Sequence, residues 1–361
     1  MKDEIMHMRM SVKKSSEIKE HIEFLRIIAC FSVLFNHSFA AMSTFSLDDF
    51  SKSRIVAMSL YFICRSAVPI FIMITGANLL TKKDSVSKWV KRLVDCIFLI
   101  TITALVYSLY ENHTFSLKTI VMNILTADIS TASWYLYLYL GIILILPILQ
   151  NIHLSDKLLL YGCVIYIVGP GLSSVLQYHF GISYIPYIFE TQFPWAIIIL
   201  LMGNYMENVM SDNQYNWKGA IVAVLVLAAA IIFSIICAVY HMNRREVFTV
   251  SEFYSGLNFP TPTLLVAVSL YYLCKFLMKQ YSGVISNKII CVIGKYTLFI
   301  YIMGDLLRDV FEFVYDYLKS NISEIVAIVI YDLVVMAVGI VMAFLFYEVI
   351  LRGIKIFLSR E

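Results

Sequence analysis

The chain is a succession of long apolar runs separated by short polar stretches, and that pattern constrains its fold more than any single motif. About 20 apolar residues in helical form cross the hydrocarbon core of a bilayer. Ten such spans are expected, at about residues 22–42, 55–80, 94–111, 133–150, 158–176, 193–208, 218–240, 259–279, 293–317 and 324–351. A backbone polar group without an internal partner is costly in lipid, so spans of this length fold as helices. The expected class is all-α: a polytopic membrane bundle of about ten transmembrane helices. Only 15% of the 361 residues are charged, against about 25% in soluble domains. The sixth span is short. The fifth holds Gly169-Pro170-Gly171, which should break or kink it, and the ninth is interrupted by Gly294, Lys295 and Gly304. The polar stretch 112–132 has room only for a short interfacial helix.

Orientation follows from the basic residues. With the N-terminus in the cytoplasm, nineteen of the 28 Lys and Arg fall inside, six outside, and three (Arg26, Arg65 and Arg308) within spans. Both termini are then cytoplasmic, with residues 1–21 as a cytoplasmic arm. No internal repeat divides residues 1–361, which are expected to form one membrane domain, and no secretory signal peptide is evident. The net charge of +3 gives no reason to expect a nucleic-acid partner. The seven cysteines lie scattered, almost all in apolar runs, without CxxC or zinc spacing. They are expected to be buried and reduced, with no metal site.

Ionisable groups inside spans mark function by default. Arg26 and His37 lie eleven residues apart on the first span, which closes to within about 20° of three helical turns and separates them by about 16 Å on one stripe. From the expected span ends, His37 and Arg65 are each about 22 Å from the cytoplasmic edge, so they can face one another. A cation near one end and an imidazole deep inside suit a site that holds an anion and moves a proton. Other readings stay open: Arg26 snorkelling to lipid phosphate, and Arg65 held by carbonyls freed at Pro69. The loop 81–93, ending Lys88-Trp-Val-Lys91-Arg92, is either a solvated positive-inside loop or a source of phosphate ligands. Trp134, Tyr137 and Tyr139 form an aromatic belt or stack on sugars. Asp305 and Arg308, three apart, are expected to pair.

Arg26 and His37 with ten residues between them, Arg65-x-x-Val-Pro69-x-Phe71-x-x-x-x-Gly76, the basic Lys91 and Arg92, Trp134 with Pro147, and the run Tyr296–Tyr301 together resemble the acyltransferase 3 family of integral membrane acyltransferases. The similarity runs over nearly the whole chain. Size and the lack of an added domain are most similar to O-acetyltransferases of bacterial surface polysaccharides, of the enterobacterial common antigen type. One departure is plain: where the family often has a His after the late Ile-Tyr, this chain has Ile300-Tyr301-Ile-Met-Gly304-Asp305.

The resemblance implies transfer of an acyl group, most often acetyl, from cytoplasmic acyl-CoA to a hydroxyl of a glycan or lipid-linked glycan, in a bacterial cytoplasmic (inner) membrane. It implies His37 and Arg65 as catalytic residues, Arg26, Lys91 and Arg92 as donor ligands, and Trp134, Tyr137 and Tyr301 at the acceptor. Acyl-CoA, the glycan acceptor, membrane lipid and a second copy of the chain are the expected partners. A transporter or flippase of a lipid-linked glycan would share the spans and charges, although the paired repeats of many transporters are missing. An acyltransferase acting on a small molecule, lipid or peptide is a further alternative.

Overall fold

The protein is described by a computed structural model over residues 19–42, 52–81, 83–112, 116–130, 133–173, 192–242, 260–281 and 287–350; most of the N-terminal arm and most of the expected 241–258 loop lie outside these residues. Among the described residues every regular element is a helix: α1 (Glu20–Met42), α2 (Lys52–Cys64), α3 (Ala67–Leu79), α4 (Val86–Asn112), α5 (Leu117–Thr126), α6 (Trp134–Leu149), α7 (Asp156–Tyr166), α8 (Gln192–Asn204), α9 (Trp217–Met242), α10 (Pro260–Gln280), α11 (Asn287–Val310), α12 (Glu312–Lys319) and α13 (Glu324–Phe344). Single π-helical stretches extend α7 (Ile167–Gly171), α8 (Tyr205–Val209) and α13 (Leu345–Ile350). Among the described residues six segments are long and apolar enough to cross a membrane: Ile55–Leu79, Val86–Glu111, Trp217–Tyr240, Pro260–Gln280, Ile289–Val310 and Glu324–Glu348. The other expected spans overlap α1, α6, α7 and α8.

The bundle is held by backbone-close crossings. A Cβ on Gly76 would meet the Leu200 carbonyl oxygen at 1.9 Å, and one on Gly203 would meet the Met73 carbonyl oxygen at 2.0 Å. Two glycines thus let α3 and α8 touch main chain to main chain, the contact that small residues permit in membranes. The ninth span corrects an expectation. α11 runs unbroken through Gly294, Lys295 and Gly304 and ends at Val310, before Phe311 (φ −103°, ψ 14°). The glycines there serve contact with α1: a Cβ on Gly294 would lie 2.3 Å from Glu23 Oε2, and one on Gly304 would lie 2.9 Å from Leu34 Cδ2. Gly169-Pro170-Gly171 departs from α geometry as expected, as a π turn. Among its described residues the stretch 112–132 holds one short helix, α5, capped by Ser116, whose hydroxyl accepts from the Thr119 N–H.

Polar contacts gather several helix ends at one end of the bundle. Lys19 and His21 at the start of α1 reach Glu207 beyond α8, each at 2.9 Å. The α3–α4 junction meets the α6–α7 junction through Lys83 with Asn151 and the Asp84 N–H donating to Gln150 (3.0 Å). Lys295, in the third turn of α11, pairs with Glu348 beyond α13 at 2.7 Å. This is the α1-start end of the bundle.

Candidate functional site

The joint between α2 and α3 sets Arg65 against α1. The helix turns at Arg65 and Ser66: the Arg65 N–H still donates to the Tyr61 carbonyl (2.9 Å), but the Ser66 N–H shifts to the Ile63 carbonyl, three residues back (3.1 Å). Pro69 has no N–H to offer the carbonyl four residues earlier, that of Arg65. The joint is then secured by side chains: the Ser66 hydroxyl donates to the Ile63 carbonyl (2.6 Å), and the Asn36 amide donates to the Cys64 carbonyl (2.8 Å). Asn36 is the residue before His37, so the hydrogen bond that fixes the joint also sets Arg65 beside His37. The Arg65 guanidinium lies 5.8 Å from the Tyr61 ring centroid, within cation–π range.

His37 and Arg65 line one cavity of about 630 Å³. Asn36 and Arg308 add polar groups to its wall, and Trp134, Tyr166, Trp195 and Tyr301 supply aromatic faces. His37 Nδ1 is 3.7 Å from Asp305 Oδ1, and Asp305 is in turn paired with Arg308 one turn along α11. An imidazole and two guanidinium groups therefore line one chamber inside the bundle, with the Asp305 carboxylate beside His37 and Arg308. The Ser38 hydroxyl donates to Asp332 Oδ1 of α13 at 2.6 Å, which fixes the helical turn carrying His37 on its other side.

Arg26 lines a different cavity, of about 1140 Å³, toward the α1-start end. Five cationic side chains bound it, Lys19, Arg26, Lys88, Arg92 and Lys295, with the carboxylates of Glu23 and Asp84. Each cation is held by a carboxylate: Arg26 by Glu23 (2.7 Å), Lys88 and Arg92 by Asp84 (2.6 and 2.9 Å), Lys295 by Glu348 (2.7 Å) and Lys19 by Glu207 (2.9 Å). Burial raises the Asp84 pKa, but the hydrogen bond from Lys88 and the charge and hydrogen bond of Arg92 outweigh it and keep the group below its ordinary value. Such a chamber suits a polyanion that can take over these charge-assisted bonds.

The expected site residues divide as follows. His37, Arg65 and Trp134 line the first cavity, Arg26 and Arg92 the second, and Tyr301 both. Lys91 joins neither. α4 begins at Val86, so the stretch expected as a loop is helical from there, and Lys88 and Arg92 stand four residues apart on one face while Lys91 is exposed. Trp89, whose indole donates to the Ile143 carbonyl (2.8 Å), fixes that face against α6. Tyr137 also lines neither cavity: its hydroxyl donates to the Ile124 carbonyl (2.6 Å) and ties α6 to α5. Asp84 and Lys88 also line the second cavity, beyond the residues that the motifs single out. The i, i+4 spacing of Lys88 and Arg92 would have found them had the helix start been placed at residue 86. The Asp305–Arg308 pair was legible, but its approach to His37 depends on how α11 packs on α1.

A family model described as an acyltransferase domain, that of acyltransferase 3, matches residues 20–347, from the start of α1 into the π turn beyond α13. No curated protein and no solved structure matches the chain.

Proposed function

The chain belongs to the acyltransferase 3 family of membrane acyltransferases, and from that membership we propose that it is an acyl-CoA-dependent O-acyltransferase. It takes an acyl group, most often acetyl, from cytoplasmic acyl-CoA and transfers it to a hydroxyl of a surface glycan or lipid-linked glycan on the far side of a bacterial cytoplasmic membrane. The observation that carries this reading is the pairing of two chambers, one lined by cations and one holding His37, with Tyr301 on the wall of both. The described lysines at the α1-start end support a cytoplasmic assignment for it by the positive-inside rule. Ten passes with both termini inside, as the sequence suggests, accord with that assignment.

On this reading Arg26, Lys88 and Arg92 exchange their carboxylate partners for donor phosphates. The thioester carbonyl is brought to the His37 chamber. His37 accepts the proton of the acceptor hydroxyl as general base. The hydroxyl oxygen attacks the thioester carbon, Arg65 stabilises the oxyanion, and the C–S bond breaks to release CoA as thiolate, which takes up a proton. Asp305, close to His37 Nδ1, stabilises the imidazolium as it forms. Trp134 and Trp195 offer faces on which a sugar ring stacks. Purified protein in proteoliposomes, given acetyl-CoA inside and candidate glycans outside, tests the proposal through CoA release and acceptor labelling. Acceptor-dependent CoA release that disappears in His37→Ala is expected. No release with any acyl-CoA across a panel of glycan, lipid and small-molecule acceptors overturns it.

A further inference from the structure

Phe71 of α3, Tyr135 of α6 and Tyr301 of α11 pack as a closed triangle. Their ring centroids are 5.9 Å apart for Phe71–Tyr135, 5.9 Å for Phe71–Tyr301 and 5.6 Å for Tyr135–Tyr301. Tyr135 and Tyr301 are buried, at 8% and 5% exposure, and Phe71 is half-buried. The triangle stands where the two chambers meet. On α3, Ile72 lines the His37 chamber while its neighbour Phe71 lines the cationic one; on α6, Trp134 faces the former and Tyr135 the latter. The wall changes sides between adjacent residues on two helices, and Tyr301 belongs to both chambers. One layer of aromatic side chains therefore separates them.

We propose that Phe71, Tyr135 and Tyr301 form a gate between the two chambers, shut in this structure, which parts when the arm of the acyl donor enters from the cationic side. This rests on the acyltransferase reading above. If the donor phosphates stay among Arg26, Lys88 and Arg92, a thioester that meets His37 must pass the ring layer. If the layer were permanently open, the two chambers would join into one water path through the bundle, which would leak ions and expose the thioester to hydrolysis. A gate meets both demands, and closure of this kind is a common way of keeping water from a reaction. The contacts suit it: tilted and edge-to-face ring pairs hold by weak dispersion and quadrupole forces, so a bound arm that offers replacement contacts can displace them. Phe71 is the leaf that moves. It has no hydroxyl to anchor it, and it is the least buried of the three.

Phe71→Ala and Phe71→Trp, reconstituted in proteoliposomes, test the gate, with Tyr135→Leu as a second opened variant should Phe71→Ala fail to reconstitute. Proton leak is read with an internal pH dye in the absence of any donor. CoA release from acetyl-CoA is read in the absence of acceptor, and donor binding by retention of radiolabelled acetyl-CoA. The opened variant is expected to leak severalfold faster than the native protein and to hydrolyse acetyl-CoA without acceptor. Phe71→Trp is expected to bind acetyl-CoA normally and lose transfer. An opened variant as tight as the native protein, or Phe71→Trp transferring at the native rate, overturns the gate. Failure of the acyltransferase reading looks different: the native protein then transfers nothing, while the leak measurement still reports on the ring layer.

Discussion

His37 Nδ1 on α1 and Asp305 Oδ1 on α11 are 3.7 Å apart, and Asp305 shares its charge with Arg308. A carboxylate at that distance favours the proton-bearing imidazole in the step where His37 acts as base, and the paired guanidinium tempers the effect. Removing His37 is expected to lower acyl transfer by about 10²–10⁴-fold, the usual contribution of a general base, while His37→Ala remains folded. Asp305→Asn is expected to lower kcat by about 10–100-fold, the worth of one charge-assisted interaction, with the KM for acyl-CoA within about twofold. Steady-state kinetics on detergent-purified variants checks both. An unchanged kcat in Asp305→Asn would remove Asp305 from the mechanism.

Arg26 and Arg65 are expected to fail in different ways because they line different chambers. Arg26→Ala loses a bond to a donor phosphate that is made equally in ground and transition states, so KM for acyl-CoA rises, by about tenfold to a hundredfold, with kcat held. Arg65→Ala loses an interaction strongest in the transition state, so kcat falls by about 10²–10³-fold. If Arg65→Ala changes only donor affinity, both arginines belong to the donor site.

Lys88, Arg92 and Lys91 offer a comparison within one turn of α4. Lys88→Ala and Arg92→Ala are expected to raise the KM for acyl-CoA by about tenfold each, and Lys91→Ala to leave it unchanged, because Lys91 is exposed and off the chamber. The Asp84 carboxyl, held below its ordinary value, contributes stability above the usual carboxylate range and loses it only as pH falls through its lower folded value. Between about pH 5 and 8, well above the ordinary carboxylate value near 3.9, Asp84 stays ionised. Its titration therefore leaves donor affinity flat over that range. Isothermal titration with CoA at several pH values checks both statements.

The division of the site explains how much of it could be read in advance. The helical bundle and the common stripe of Arg26 and His37 follow from local periodicity, which a sequence displays directly. Arg65 beside His37 was reachable from depth counting along two helices. The position of Lys91 off both chambers is less legible, because the apolar run begins about residue 94, whereas α4 begins at Val86; helices continue past the hydrocarbon core into basic flanks, and composition alone does not mark that continuation. The bond of Tyr137 to α5 is not legible either, because an aromatic residue at a helix start has the same composition whether it faces a cavity or, as here, bonds a neighbouring helix. The glycines of α11 resembled breakers in a hydropathy profile. Only the packing of α1 against them reveals that they are contact points.

Gly76 gives a prediction that is independent of function. Its α carbon faces the Leu200 main chain, and a Cβ there would lie 1.9 Å from the carbonyl oxygen and 2.7 Å from the carbonyl carbon. Neither atom can rotate away, so α3 and α8 must separate to admit even one methyl group. Gly203 makes the reciprocal contact with Met73, so the two glycines act together and the crossing cannot pivot about one of them. Overpacking of this kind costs about 1–3 kcal/mol or more, and Gly76→Ala is expected to lower the midpoint of thermal unfolding in detergent and the yield of monodisperse protein. Gly162 is the matched control. It lies on α7, where the nearest atom to an added Cβ is Ile198 Cγ2 at 3.5 Å, an ordinary contact. Gly162→Ala should therefore be neutral, or stabilising by up to about 1 kcal/mol through helix propensity. Equal behaviour of the two variants in a thermal-shift assay would mean that α3 and α8 do not touch through Gly76. The shape of the His37 chamber, which Ile72 and Pro69 of α3 and Ala196 and Ile199 of α8 wall in, would then have a different origin.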